Sequence, residues 1–436
     1  MVKVSIIMPS LNVRDYIEEA INSVVSQTLK EIEILCIDAG STDGTWESIE
    51  IASKEDNRIR VIKSPIKSYG YQIGIGIDQA LGEYVAILDT DDYTSADMYK
   101  ALYEVAIRED LDFAKCDYST YRTVGEKREF ISRKVSADQL YYNSVFCPAE
   151  HPQTVIDDWY LWNGIYKRDF LNKYGIRPSA TPGAAFQDVG FLHKVAAHAL
   201  KGKYLKGDYY RYCVDREGAS SNSNRVLHFI RSEYGLLLES STDCATDAAK
   251  VLLYRRMARS FVRACMDTVN EQLEDGESAG ICKWFQEHLS EAENYGFVSG
   301  EDLPRALQEP YRQLMNSVEA FVLYRKTNEK RFIEFLEKTG KIIIFGCGDY
   351  GKGALKSIRA RGYDASAFMD NNRELWGETM EGIPVWEPEK TKELSTDFGI
   401  LIANEKYADS IRMQLEDYRK DIIFFEYTLE QTRGEA

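Results

Sequence analysis

Three carboxylates crowd the end of one apolar run. In Tyr84–Ser95, YVAILDTDDYTS, the acids Asp89, Asp91 and Asp92 fall within four positions. Carboxylates packed this closely either share protons or are neutralised by a cation. Hard oxygen ligands suit Mg²⁺ or Mn²⁺, and Mg²⁺ commonly binds through one or two carboxylates together with substrate phosphates. The plain alternative is helix capping, because Asp and Ser satisfy the free N–H groups and the dipole of a helix start. A helical pattern, SADMYKALYEVAIRE, follows at once, with Thr94 or Ser95 as the expected cap. One Asp satisfies capping. Three leave both metal binding and capping open.

The elements around these acids narrow where they stand. KVSIIMPS, EIEILCID, IRVIKS and EYVAILD are short, apolar and rich in β-branched residues, as strands are. Between them lie helical patterns: DYIEEAINSVVSQT, with Tyr16, Ile17, Ala20, Ile21, Val24 and Val25 on one period, and DGTWESIEIASKE, capped at Ser41, Thr42 or Asp43. Alternation of this kind over residues 1–115 predicts a parallel, doubly wound α/β sheet. Ligands of such sheets bind beyond the carboxyl ends of the strands. Asp38 and the Asp89–Asp92 cluster both fall at such ends. Residues 116–225 are irregular and aromatic and complete one large domain. Residues 226–338 turn helical and form a module of four to six helices. The strand–helix pattern resumes at 341 and makes 339–436 a small Rossmann-like domain.

That last segment carries a second constellation. KIIIFGCGDYGKGALKSIRARG is strand, glycine-rich turn and helix, with Gly346, Gly348 and Gly351 spaced G-x-G-x-x-G. Glycines there let backbone N–H groups approach a phosphate at the helix N-terminus. Asp370 ends the next strand, where an acid meets a ribose. A bound nucleotide and a purely structural or docking role are both consistent with it.

Bulk properties exclude several classes. A chain of 436 residues with 44% apolar and 28% charged residues builds two or three globular domains. The net charge of −16 argues against a nucleic-acid partner. No apolar stretch reaches the ~20 residues that span a bilayer, and MVKVSIIMPSLN is not patterned as a signal peptide. A cytoplasmic location is the expectation, with peripheral membrane contact and self-association compatible with it. The eight cysteines are dispersed without a CxxC pair, and the five histidines show no ligand spacing, so neither disulfides nor a zinc site is expected.

The series VSIIMPSLN, YIEEAINSVVSQT, EILCIDAGSTDGT and GEYVAILDTDD resembles the nucleotide-binding half of the family 2 glycosyltransferases, which have the GT-A nucleotide-diphospho-sugar transferase fold. Four motifs recur in order. Weaker likeness continues through WNGIYKRDFL, AAFQDVGFLHKV and YYRYCVDREGASSNS, covering about residues 1–225. The resemblance implies a metal-dependent, inverting transfer of a sugar from a nucleotide donor to a hydroxyl of a glycan or lipid-linked acceptor, with surface polysaccharide synthesis as the setting. It implies that Asp89, Asp91 and Asp92 hold Mn²⁺ or Mg²⁺ on the donor diphosphate, that Pro9, Ser10 and Asn12 line the nucleotide cleft, and that Asp38 meets the base or ribose. Asp188, in FQDVGF, is the implied general base, with helix capping as its alternative. Arg211, Arg216, Ser220 and Ser221 suit a loop over the phosphates or an ordinary solvated loop. Trp159, Trp162 and Tyr166 suit an acceptor sugar or the core, and Asp157 and Asp158 suit the surface.

This chain departs from the family pattern at four points. Ala39 replaces the second acid of D-D-G-S, Leu11 the usual Tyr, Ile73 an expected Arg, and Gln187 a common Glu. Two rival functions follow: a binding module with impaired catalysis, and a nicotinamide-dependent oxidoreductase working through the C-terminal segment.

Overall fold

The computed structural model describes residues 1–125, 127–136, 141–216, 225–240, 242–404 and 407–427. Ser220 and Ser221 lie outside the described residues. The chain divides into two compact units, Met1–Met257 and Ala258–Ala436.

In the first unit, β1 (Val4–Ser10), α1 (Arg14–Val25), β2 (Ile32–Asp38), α2 (Thr45–Glu55), β3 (Ile59–Lys63), α3 (Tyr69–Gln79) and β4 (Tyr84–Ile87) alternate as expected. There follow β5 (Tyr93–Thr94), α4 (Met98–Glu109), β6 (Phe113–Val124), β7 (Lys127–Arg133), α5 (Pro152–Val155), β8 (Gly164–Lys167), α6 (Arg168–Lys173), α7 (Gln187–His198), β9 (Gly202–Cys213) and α8 (Val226–Glu239). Among the described residues they build a nine-stranded sheet, ordered β3-β2-β1-β4-β8-β6-β9-β5, with β7 paired to β6. The strands β3, β2, β1 and β4 run parallel. Every residue of β1 and β2 is buried, which is why both read as unbroken apolar runs. Helix α1 turns Ile17, Ala20, Ile21 and Val24 into the core. Helix α3 lies so close to β1 that a Cβ at Gly76 would come within 2.6 Å of Ile7, so the IGIGI pattern records tight helix–strand packing.

Register brings the site together. Ser10 pairs with Asp38, and Ile7 with Ile87, so β1, β2 and β4 finish side by side. Past the turn that holds Asp89–Asp92, Tyr93 and Thr94 form β5 and pair antiparallel with Arg211 and Tyr210 of β9. This takes the capping position away from Thr94 and Ser95. Helix α4 starts later, with Asp97 as its N-cap residue.

The chain continues through α9 (Asp247–Asp267). The second unit contains α10 (Asn270–Leu273), α11 (Gly276–Asn294), α12 (Arg305–Asn316) and α13 (Val318–Lys338). It ends in an α/β segment of β10 (Lys341–Phe345), α14 (Asp349–Ala360), β11 (Ala365–Met369), β12 (Thr379–Met380), β13 (Ile383–Trp386), β14 (Phe398–Ile402), α15 (Ala408–Tyr418) and β15 (Ile423–Glu426). Their sheet order is β12-β13-β11-β10-β14-β15. Ile342 and Ile344 join one core with α13 and α14, while Ile343 and Phe345 join another with α15. The period-two alternation of a sheet covered on both faces explains this. The helices expected over 226–338 divide between the two units. Among the described residues no helix is long and apolar enough to cross a membrane.

Candidate active site

The three acids behind β4 have different environments. Asp92 is 2% exposed, and both its oxygens are taken: Oδ2 accepts from the Tyr210 hydroxyl at 2.8 Å and Oδ1 from the Cys213 backbone N–H at 2.8 Å. It ties the turn to β9. Of the three acids expected to hold a cation, Asp92 is thus the one with both oxygens engaged. Asp89 Oδ1 accepts from the Tyr69 hydroxyl at 2.6 Å, and its backbone N–H donates to the Tyr210 oxygen at 3.2 Å. Asp91 Oδ2 accepts from Arg216 Nη1 at 2.7 Å. Among the described residues the remaining oxygens, Asp89 Oδ2 and Asp91 Oδ1, take no hydrogen bond. Burial, followed by the neighbouring Asp91 charge, pushes the Asp89 carboxyl up to about 7.

Asp89 and Asp91, each with one open oxygen, are the donor set a hard divalent cation suits. Among the described residues no group of three His, Cys, Asp or Glu side chains gathers as a metal cluster. A cation here would rest on Asp89 and Asp91 and need its other ligands from substrate and water. Arg216 supplies the positive charge in the structure. Read from the sequence as part of a loop over the phosphates or of an ordinary solvated loop, it pairs with Asp91.

The β1–β2 crevice is braced from within. Asp38 Oδ2 accepts from the backbone N–H groups of Gly40 at 2.8 Å and Ser41 at 3.0 Å, and Oδ1 takes the Ser41 hydroxyl. Its carboxylate therefore shapes its own turn. Asn12 takes a left-handed backbone with φ of 52°. Its N–H donates to Ser41 Oγ at 2.9 Å, and its Oδ1 accepts from the Thr42 N–H at 2.9 Å. Pro9 and Ser10 are buried and contribute backbone carbonyls, to Thr90 Oγ1 at 2.8 Å and to Gln72 Nε2 at 3.0 Å.

On the opposite side, Asp188 opens α7 and accepts from the Val189 N–H at 2.9 Å. Burial pushes its carboxyl up to about 7, and Glu233 adds to the rise. Glu233, on α8, is buried and takes the hydroxyls of Ser179 and of Thr181, the latter at 3.0 Å. Gln187 is 1% exposed and donates to the carbonyls of Thr181 and Gly183. The 179–183 loop is thus pinned to α7 and α8. It is also pinned to α3: the Tyr69 N–H donates to the Gly183 carbonyl at 2.8 Å. The titration of Asp89 responds to the Asp188 charge, so the two acids share one electrostatic field.

Sequence patterning did not signal Tyr69, Tyr210 or Glu233. Of the two readings of the aromatic segment, the core holds for Trp162, 4% exposed, and Tyr166, fully buried. Trp159 lies under the Arg256 guanidinium, 5.6 Å from its ring centre. Asp158 is buried rather than superficial, because Lys115, itself buried, pairs with it.

The second unit has its own cavity, of about 560 Å³, at the carboxyl ends of β10, β11 and β14. Gly346, Cys347, Gly348, Asp370, Asn404 and Arg305 line it. Asp370 Oδ2 accepts from the Cys347 N–H at 2.8 Å and holds the glycine turn. A Cβ at Gly351 would fall 1.9 Å from the Gly346 carbonyl oxygen, whereas one at Gly348 would meet nothing within 4 Å. Gly351 is therefore required by packing, and Gly348 leaves open space. Helix α14 has no side-chain cap.

Residues 5–194 match Glycosyl transferase family 2, and residues 338–423 match C2185-like, N-terminal. The chain is 34% identical over 293 residues to Glycosyltransferase GlyG of Streptococcus pneumoniae, covering 63% of this chain and 91% of that protein. It is 32% identical over 171 residues to Uncharacterized glycosyltransferase EpsJ of Bacillus subtilis, covering 39% of this chain and about half (49%) of EpsJ. Among solved structures it superposes on residues 1–349 of S. aureus TarS in complex with UDP-GlcNAc, with a TM-score of 0.56, 17% identity, and coverage of 76% and 92%. At that identity the likeness speaks for the fold.

Proposed function

Since the chain belongs to glycosyltransferase family 2 and has the GT-A fold, we propose that it transfers a sugar from a nucleotide donor to an acceptor hydroxyl, with inversion and with a divalent cation at Asp89 and Asp91. The observation that carries this reading is the pair Asp89 and Asp91 beyond β4, each with one oxygen in a hydrogen bond and the other open, with the Asp188 charge within electrostatic reach of Asp89.

Each residue has a task in that chemistry. Asp89 and Asp91 would hold Mn²⁺ or Mg²⁺, which when bound offsets the charge of the departing diphosphate. Tyr69 fixes the Asp89 carboxylate, and Asp92 fixes the turn that bears it. Asn12, Pro9, Ser10 and the Asp38 turn form the wall against which the nucleoside lies. Asp188 takes the acceptor proton as its hydroxyl attacks; a carboxyl titrating near 7 is matched to that work. A single displacement with one base inverts the anomeric centre. A glycan or lipid-linked acceptor in surface polysaccharide synthesis fits the family, and TarS in complex with UDP-GlcNAc makes a uridine donor the first to try.

The decisive experiment is a panel of nucleotide sugars with Mn²⁺, read by thermal shift and by release of nucleoside diphosphate. One donor stabilises the protein only with metal, and Asp91→Ala abolishes the shift. Binding without transfer or hydrolysis favours a binding module instead.

For the second unit we propose a nucleotide in the cavity of Gly346, Gly348, Gly351 and Asp370, because the open space at Gly348 has no packing explanation. A nucleotide shift that survives Asp91→Ala supports it; the loss of every nucleotide shift in that variant removes it. Stabilisation by NAD(H) alone would return the oxidoreductase.

A further inference from the structure

The acidic corner is backed by a stack of aromatic rings. Tyr210, whose hydroxyl donates to Asp92 at 2.8 Å, lies face to face with Trp162 at 4.1 Å and 17°. Trp162 in turn stacks on Tyr160 at 4.7 Å and 24° and on Tyr212 at 5.2 Å and 26°. Tyr160 and Tyr212 lie 5.7 Å apart. Burial grades along the stack: Tyr210 and Trp162 are closed off, whereas Tyr160 and Tyr212 are half-buried. The Tyr212 hydroxyl is within electrostatic reach of Asp89, Asp91 and Asp92. Two half-buried rings, Tyr160 with Tyr118 edge-on at 5.4 Å and Tyr212, thus stand on Trp162 beside the proposed reaction centre.

We propose that Tyr160 and Tyr212 form a platform on which the acceptor is bound as a saccharide ring. The proposal rests on the transferase reading of the same site and names its acceptor class. A pyranose with equatorial hydroxyls presents a face of C–H groups that suits an aromatic surface, and its rim of hydroxyls suits phenol groups. The buried Trp162 is a positioning residue that packs against both tyrosines, whose rings are tilted 43° to each other.

The test uses the full chain, Mn²⁺, a mixture of UDP and GDP, and methyl β-glycosides of glucose, galactose and N-acetylglucosamine, followed by saturation-transfer NMR. At least one glycoside gains signal, strongest at the axial ring protons of one face. The Tyr160→Ala/Tyr212→Ala double variant loses that signal at least fivefold, and Tyr160→Phe/Tyr212→Phe keeps it. Nucleotide resonances in the same tube report independently on the donor site and on folding. Glycoside signal that is absent from the wild type, or unchanged in the double Ala variant, overturns the platform. Absent nucleotide signal overturns the donor reading instead. Glycerol phosphate binding better than every glycoside also overturns the saccharide assignment.

Discussion

Arg216 donates through Nη1 to Asp91 Oδ2 at 2.7 Å, so a guanidinium stands on a carboxylate that the transferase reading assigns to a divalent cation. Both side chains are about a quarter exposed, at 26% and 22%. Arg216→Gln removes the competitor. Mn²⁺ binding without nucleotide then tightens by about tenfold, or ~1.4 kcal/mol, and the gain disappears when a nucleoside diphosphate is present. Calorimetric titration of Mn²⁺ checks it; unchanged or weaker binding refutes competition at Asp91.

Asp92 and its two neighbours separate function from stability. Asp92→Ala strands the Tyr210 hydroxyl and the Cys213 N–H, costing roughly 1–3 kcal/mol per group left unsatisfied. Its melting temperature drops by several degrees. Asp91→Ala relieves the crowding of like charge on Asp89 and leaves the melting temperature level or higher while Mn²⁺-dependent donor binding is lost; Asp89→Ala loses the same binding and also strands the Tyr69 hydroxyl, so its melting temperature falls by less than that of Asp92→Ala. A fall of equal size in all three variants contradicts this division.

Asp188 sets a pH dependence of defined sign. Its folded carboxyl titrates near 7, above an unfolded value of about 3.9, so the folded chain holds the proton more tightly. The corresponding stability is fully present below about pH 4 and is lost as pH rises to about 7. Activity runs the other way, because the base must be ionised: kcat/KM climbs through a limb near pH 7. Asp188→Asn flattens the stability slope and cuts transfer by roughly 10²–10⁴-fold, with donor binding retained. A pH profile that keeps its limb in Asp188→Asn assigns the proton elsewhere.

Two glycines of the second unit respond oppositely. Gly351→Ala would set a Cβ 1.9 Å from the Gly346 carbonyl oxygen and destabilises by more than about 2 kcal/mol. Gly348→Ala, with nothing within 4 Å, stays within about 0.5 kcal/mol. Denaturant midpoints of the two variants check both.

The parallel half of the first sheet was legible in the sequence because it is local. Ile6, Ile7, Ile34 and Leu35 are apolar because both faces of the sheet are covered, and the acids follow where the strands end. What stayed hidden is long-range. Tyr210 meets Asp92 from across the chain, and Glu233 reaches Ser179 and Thr181 from a helix outside the recognised motifs. No periodicity encodes either pairing. For Trp162 both an acceptor surface and the core stayed open, because composition does not tell which ring of a cluster is outermost. The glycine turn was visible by spacing, but only the fold separates Gly351, required by packing, from Gly348, which is not.

Tyr69 joins the acidic turn to the loop beside Asp188: its hydroxyl holds Asp89, and its backbone N–H holds Gly183. One residue thus works as a yoke. Any displacement of Asp89 on loading the donor reaches the far wall, and by reciprocity acceptor occupancy alters the donor's affinity to the same degree.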